Sequence, residues 1–302
     1  MELLQLHYFR TVAKYEHMTK AAEELRIAQP ALSKTISRLE EDVGVPLFDR
    51  HNRQIRLNRF GRAFLQQVET ALGALEDGRR ELADMAGKEQ GTIRLATPTL
   101  NRLSSSISAF RKENPEMMFR VVQIPPAASD DMISLLERGE VDLCFIAASL
   151  KQPWIREMTV LKAEVCLAVP IGHRLADRSS VALDEVMNEA FIEYHEEHPF
   201  RQLNNEYCRN AGIDRQIICE VDEPSALWSL VQAGLGLAFT PRNPNAVEDE
   251  NVKLLRIDKP ACEREFAIAW NEKRYLPNAA RSFVEFLESY FHLEPAAGDK
   301  SR

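Results

Sequence analysis

Several things that this chain of 302 residues lacks narrow what it can be. Its five cysteines, Cys144, Cys166, Cys208, Cys219 and Cys262, include no Cys-x-x-Cys pair. Zinc therefore has no support, and buried free thiols are the default expectation. No apolar run reaches bilayer-spanning length, and the opening MELLQLHYFRTVAKYEH has neither a basic leader nor an uninterrupted apolar core. A cytoplasmic protein with no membrane partner is expected. GxSxG, P-loop and dinucleotide-binding glycine patterns are missing; Gly234-Leu235-Gly236 follows a helical pattern and enters a strand pattern, the wrong context for a dinucleotide. The seven histidines and six tyrosines form no clustered set, so neither catalysis nor a cofactor is expected.

A uniform basic excess is also lacking, since the formal net charge is −8. Residues 1–62 nevertheless hold 11 Lys/Arg against 8 Asp/Glu, a net of +3, which leaves 27 against 38, a net of −11, for the rest. A mildly basic head on an acidic body fits a nucleic-acid-contacting module attached to something else.

What is there begins with TKAAEELRIAQPALSKTISRLEEDVG, from Thr19 to Gly44. Ala21, Ala22 and Leu25 share one helical face, and Leu32, Ile36 and Leu39 share the next. RIAQ between them serves as a turn, and Pro30 suits the first turn of the second helix because its missing N–H costs nothing there. The pattern is a helix-turn-helix. On the outer side of its second helix stand Gln29, Pro30, Ala31, Ser33, Lys34 and Arg38, types that meet thymine methyls, base edges or phosphates. Gln29 also suits a helix cap and Lys34 a solvated surface.

From His51 to Arg62 the chain carries Arg53, Arg56, Arg59 and Arg62 with no acidic residue, beside Arg50 and an Ile55/Leu57 alternation. Such a run standing alone fits a solvated face equally well. Directly after a helix-turn-helix it reads as a β-wing, with Arg50 and Arg53 placed for phosphate. Leu6, Phe9, Val12 and Ala13 predict a helix over Leu3–Tyr15 that packs beneath this motif. Asn58 is placed to cap a long helix from Phe60 to about Gly87. Phe64, Leu65, Val68, Leu72, Leu75, Leu82 and Met85 give that helix one apolar stripe, too long for a 60-residue head to cover, so it is expected to pair with its copy in a second subunit.

Beyond Gly91 strand and helix patterns alternate. GTIRLAT, MMFRVVQI and VDLCFIA read as strands around helices at about Leu100–Glu113 and Asp131–Arg138, a βαβαβ start to a parallel sheet. EVCLAVP, AFIEY, IICEV, GLGLAFTP, KLLRI and REFAIAW continue the strands. A helical turn at Leu183–Val186, helices at Phe200–Ala211 and Glu223–Ala233, and a last one at Asn278–Phe291 accompany them. Two comparable α/β units with a cleft between them are expected, followed by a disordered tail over 296–302.

These motifs together resemble the LysR-type transcriptional regulators over nearly the whole chain. In the head the resemblance is carried by Phe9, Val12, Thr19, Ala21-Ala22, Leu25, the run Ala28 to Ser33, Ile36, Leu39-Glu40, Gly44, Leu47-Phe48, Arg50, Leu57 and Gly61. In the body it is carried by Gly91, the run Ile93 to Ala96, GEVDL at 139–143, EVCLAVP and VQAGLGLAFTP. It implies an N-terminal winged helix-turn-helix (1–60), a linker and dimerisation helix (61–90) and a two-lobed, periplasmic-binding-protein-like α/β effector domain (91–295). Lobe I would cover about 91–162 and 268–293, and lobe II about 163–267. It also implies homodimers that assemble into homotetramers on promoter DNA, where a small-molecule effector changes DNA bending and contact with RNA polymerase. The chain departs from the family's pattern at His17-Met18, where capping is expected from Thr19, and at the serine run Ser104 to Ser106 where a Leu-Pro helix opening is usual.

For the effector, three helix starts facing the cleft offer free N–H groups to an anion: Thr97 to Leu100, Ala128 to Asp130 and Glu223 to Ser225. Thr97, Thr99, Leu100, Ser129, Pro224 and Ser225 are the candidates there, with His195 from the opposite lobe as partner for a carboxylate. His173 and His198 are expected on loop surfaces. Glu193, Glu196 and Glu197 suit either water or an amine-bearing effector such as an amino acid; the hydroxyl-rich helix starts favour a small carboxylic acid. Two alternatives remain. A thiol switch through Cys208/Cys219 is one, because some family members sense peroxide through two cysteines in this lobe, although Arg209 is the only activating neighbour. A solute-binding protein is the other, and it would not need the DNA-binding head.

Overall fold

Small residues at the crossing points and apolar residues at helical spacing build the N-terminal part of the computed structural model, which describes residues 1–51, 54–87, 91–243 and 249–293. Arg53 and the tail from residue 296 lie outside these. The chain divides into two compact units, Met1–Glu89 with Glu137–Glu140, and Gln90–Leu136 with Val141 onward.

In the first unit α1 (Leu3–Tyr15), α2 (Met18–Glu24) and α3 (Gln29–Val43) are followed by β1 (Phe48–His51), β2 (Gln54–Leu57) and α4 (Arg59–Met85). Phe9 is buried at the centre, its ring 5.5 Å from that of Phe48 and 5.3 Å from that of Phe64. Ala21 and Ala22 let α2 lie against the Leu32, Ile36 and Leu39 face of α3. The α2 start is capped by His17, whose Nδ1 accepts from the Lys20 N–H at 3.3 Å; this corrects the expectation of a Thr19 cap. An imidazole nitrogen one residue before the helix does what a serine oxygen does elsewhere.

β1 and β2 pair antiparallel from Phe48↔Leu57 to His51↔Gln54, with Ile55 and Leu57 turned into the core, so the wing is present. Asn58 caps α4 as expected, its Oδ1 accepting from the Gly61 N–H at 2.9 Å. Gly61 sits where a Cβ would run into the Leu47 carbonyl, which explains glycine at that point. Along α4, Val68 and Leu72 belong to the head core, whereas Leu75, Leu82 and Met85 are 54%, 67% and 78% exposed. The apolar stripe thus changes role midway.

The second unit contains β3 (Thr92–Thr97), α5 (Leu100–Glu113), β4 (Met118–Gln123), α6 (Ser129–Arg138), β5 (Leu143–Ile146) and β6 (Ile155–Pro170). There follow β7 (Ser180–Val181), a 3₁₀ turn at Leu183–Val186, β8 (Ala190–Tyr194), α7 (Pro199–Asn210), β9 (Gln216–Val221) and α8 (Pro224–Gln232). β10 (Ala238–Pro241), β11 (Val252–Ile257), β12 (Glu263–Asn271) and α9 (Asn278–Leu293) complete it.

The expected βαβαβ start is parallel, β3 lying between β4 and β5. The sheet as a whole is mixed, in the order β4-β3-β5-β12-β6-β11-β7, with β10 also on β6. β12 is antiparallel to both β5 and β6, and β8 and β9 form a separate parallel pair. β6 runs 16 residues, well beyond the EVCLAVP seen in the sequence. Its first half pairs with β12 and its second half with β10 and β11, so β6 and β12 are the two strands that join the lobes. One core packs Phe110, Phe145, Phe266 and Phe283 in lobe I; another packs Leu167, Phe191, Phe200 and Phe239 in lobe II.

Candidate functional site

In the head, α3 turns Leu32, Ile36 and Leu39 inward, and this leaves Gln29, Pro30, Ala31, Lys34 and Arg38 exposed with Ser33 half-buried beside them. Gln29 and Pro30 are the first two residues of the helix, which starts from Ala28 without a side-chain cap, so the Gln29 side chain is not spent on capping. Arg50 stands in β1 opposite Ile55. A convex helix face with two cations, a hydroxyl and an amide, next to a two-stranded wing, has the form that enters a major groove.

In the second unit a cavity opens between the lobes. Pro98, Thr99, Pro126, Ser129, Met132, Ile146, Ala147 and Ala148 line it from lobe I, and Tyr194, His198, Pro199, Pro224 and Arg264 line it from the other side. Thr99 is the N-cap residue of α5, yet its Oγ1 caps nothing and has no hydrogen-bond partner among the described residues. Thr97 is fully buried, and its Oγ1 accepts from the Thr99 N–H at 3.0 Å, so it shapes the loop. Leu100, Ser225 and His195 are not among the lining residues.

The histidine that lines the cavity is His198, which corrects its expected place on a loop surface: it is 3% exposed. Its ring stacks on Tyr194 with centroids 4.0 Å apart, and its Nδ1 accepts from the Phe200 N–H at 3.1 Å at the start of α7. With Nδ1 accepting, the proton of the neutral ring is on Nε2. Burial, then the charge of Arg264 and His195, lowers its pKa to about 4. His195 is half-buried, its ring edge-on to that of His198.

The sequence reading missed Arg264. It is 8% exposed, lies over the rings of Phe200 at 4.3 Å and Phe266 at 5.3 Å, and has its pKa lowered to about 10 by burial. A signal was available, because strand alternation puts Arg264 on the same buried face as Phe266 and Ile268. The acidic neighbours that left an amine-bearing effector open are elsewhere engaged or turned to water. Glu193 is buried in an ion pair with Arg215 and accepts from Asn204, while Glu196 and Glu197 are exposed. Cys144, Cys166, Cys208 and Cys262 are buried and Cys219 is half-buried; burial raises the Cys208 pKa to about 11, which disfavours its thiolate. No helix among the described residues is long and apolar enough to cross a membrane.

A winged helix-turn-helix joined to a two-lobed α/β unit with an interlobe cavity defines a DNA-binding protein that also accommodates a small molecule. Residues 3–62 match the family model for bacterial regulatory helix-turn-helix proteins of the lysR family, and residues 86–291 match the LysR substrate binding domain. The chain belongs to the LysR family of transcriptional regulators. It is 33% identical to the uncharacterized HTH-type transcriptional regulator YybE of Bacillus subtilis, over 96% of this chain and 99% of that one. It is 29% identical to the transcriptional dual regulator GltC of the same organism, over 96% and 98%. Full-length CbnR, solved in complex with its target DNA, shares the fold with a TM-score of 0.69 at 21% identity, over 96% of this chain and 99% of that one.

Proposed function

We propose that this regulator binds promoter DNA through Gln29, Pro30, Ala31, Ser33, Lys34 and Arg38 of α3 and through Arg50 and Arg53 of the wing, and that a small carboxylic acid in the interlobe cavity modulates this binding. Residues 1–60 act as the DNA-binding part, 61–90 as the dimerising linker, and 91–295 as the effector-binding part, with α4 pairing two chains and pairs assembling into tetramers that contact RNA polymerase. The exposed apolar residues Leu75, Leu82 and Met85 support pairing through α4.

One observation carries the effector reading: the starts of α5, α6 and α8, at Thr99, Ser129 and Pro224, meet at one cavity whose lining includes no carboxylate. Helix starts present unspent N–H groups to an anion. The test is fluorescence anisotropy of the full-length chain on promoter fragments, with and without a panel of organic acids and amino acids. An acid that changes the affinity or the length of DNA protected supports the reading. A response to amines alone contradicts it.

A further inference from the structure

We propose that Arg264 and Thr99 are the two sides of a carboxylate anchor in the cavity, and that the effector is a monocarboxylate with an apolar body. This rests on the carboxylic-acid reading above and narrows it to one charge pattern and one pair of residues.

Arg264 differs from the other strongly buried arginines of its unit. Arg215 is paired with Glu193, and Arg201, though its Nε has no partner among the described residues, donates to the Tyr194 carbonyl at 2.8 Å and to Glu220 at 3.4 Å. Arg102, near the start of α5, donates to the main-chain carbonyls of Pro241 and Arg242. The side chain of Arg264 has ring contacts with Phe200 and Phe266, and no hydrogen bond or ion pair among the described residues. Its guanidinium faces the cavity without an acceptor or counter-charge among the described residues, and a cation held this far from water is stabilised by an anion placed beside it. In the same cavity Thr99 Oγ1 is buried and unpartnered, at the uncapped start of α5. A carboxylate has two oxygens, enough to accept from the arginine fork on one side and from the threonine hydroxyl and helix start on the other.

The remaining lining sets the rest of the molecule. Pro98, Met132, Ile146 and Pro199 offer apolar surface, and no acidic side chain lines the cavity. An ammonium group would have no counter-charge there, which disfavours amino acids. A second carboxylate would meet no second arginine or lysine, since Arg264 is the one such residue among the described lining residues, and the first turn of α6 already carries Asp130 and Asp131. Because Thr99 follows β3 in lobe I and Arg264 opens β12 beside lobe II residue Phe200, an acid held by both ties the lobes together.

The test is isothermal titration of the full-length chain at neutral pH with phenylacetate, cyclohexanecarboxylate and 3-methylbutanoate. Phenylacetamide, phenylalanine and succinate serve as comparisons. At least one of the three acids should bind, with phenylacetamide, phenylalanine and succinate at least tenfold weaker. Arg264→Gln should weaken that acid at least tenfold and Thr99→Val several-fold, with Arg264→Lys between Arg264→Gln and the unmodified chain. Arg264→Met should leave the ligand-free protein as stable as before or raise its Tm, a result that a purely structural arginine would not give. Acid binding undiminished in Arg264→Gln overturns the anchor. Binding of succinate or phenylalanine in preference to the three acids overturns the monocarboxylate class while the cleft remains an acid site. Failure of every carboxylic acid overturns both readings, and the acid-against-amide comparison decides the charge requirement without any variant.

Discussion

Tyr194 and His198 lie ring on ring, their centroids 4.0 Å apart and their planes within 12°, at the wall of the interlobe cavity. The imidazole is thereby buried, caps α7 and is held neutral, with its pKa lowered to about 4. In the unfolded chain the same group titrates near ~6.5.

The sign follows from proton uptake. Between about 6.5 and 4 the unfolded chain binds a proton that the folded one does not, so stability falls as pH drops through that window and the contribution is constant above it. The limit is about 1.4 kcal/mol per pH unit. Urea unfolding at pH 5 and pH 7 should show a lower midpoint at pH 5, and His198→Asn, which keeps a capping acceptor, should reduce that difference. An undiminished difference places its source elsewhere.

The division of labour along α4 separates two kinds of leucine. Leu72→Asp puts a charge into the head core and should destabilise the head by several kcal/mol, of order 3–5. Leu75→Asp with Leu82→Asp touches only exposed positions, so it should leave head stability unchanged while dissociating the dimer proposed to form through α4. Sedimentation velocity read alongside thermal unfolding distinguishes the two.

On DNA, Arg53→Ala should weaken binding to cognate and random duplexes alike and flatten the salt dependence by about one unit of slope. Ser33→Ala should relax preference at one base position, by about 1–3 kcal/mol of discrimination. Anisotropy titrations over a salt series on both kinds of duplex check this; equal losses on both for Ser33→Ala would remove that residue from base readout.

The buried pair Glu193 and Arg215 makes a further prediction. Burial raises the Glu193 pKa despite the guanidinium beside it, so the carboxylate depends on that partner. Arg215→Met alone should cost about 3–5 kcal/mol, and adding Glu193→Leu should recover most of it. Chemical denaturation of the single and double variants gives the coupling.

Much of this was readable in advance, because residues that obey a period report their face. Leu32, Ile36 and Leu39 fixed which side of α3 turns outward, and Asn58 announced the start of α4. The first half of β6 was missed because residues 155–163 bury only Ile155, Val160 and Ala163, a spacing without alternation. The cavity histidine was misplaced from 198 to 195 because a loop has no period to tell which of two nearby residues turns inward. His17 escaped because imidazole is an uncommon cap. Arg264 escaped because it opens an apolar strand whose pattern reads as strand throughout, although a charged residue on the buried face is itself a local conflict that points to the cavity.

The measurement closest to the central claim is the affinity of the full-length chain for duplex DNA at low ionic strength, compared with that of a Lys34→Ala/Arg38→Ala variant. The account predicts non-specific binding in the micromolar range, on the order of 10⁻⁶–10⁻⁴ M at moderate salt and tighter at lower salt, with a marked loss in the variant. A folded protein that binds no duplex under those conditions, or a variant that binds as well as the unmodified chain, would contradict it.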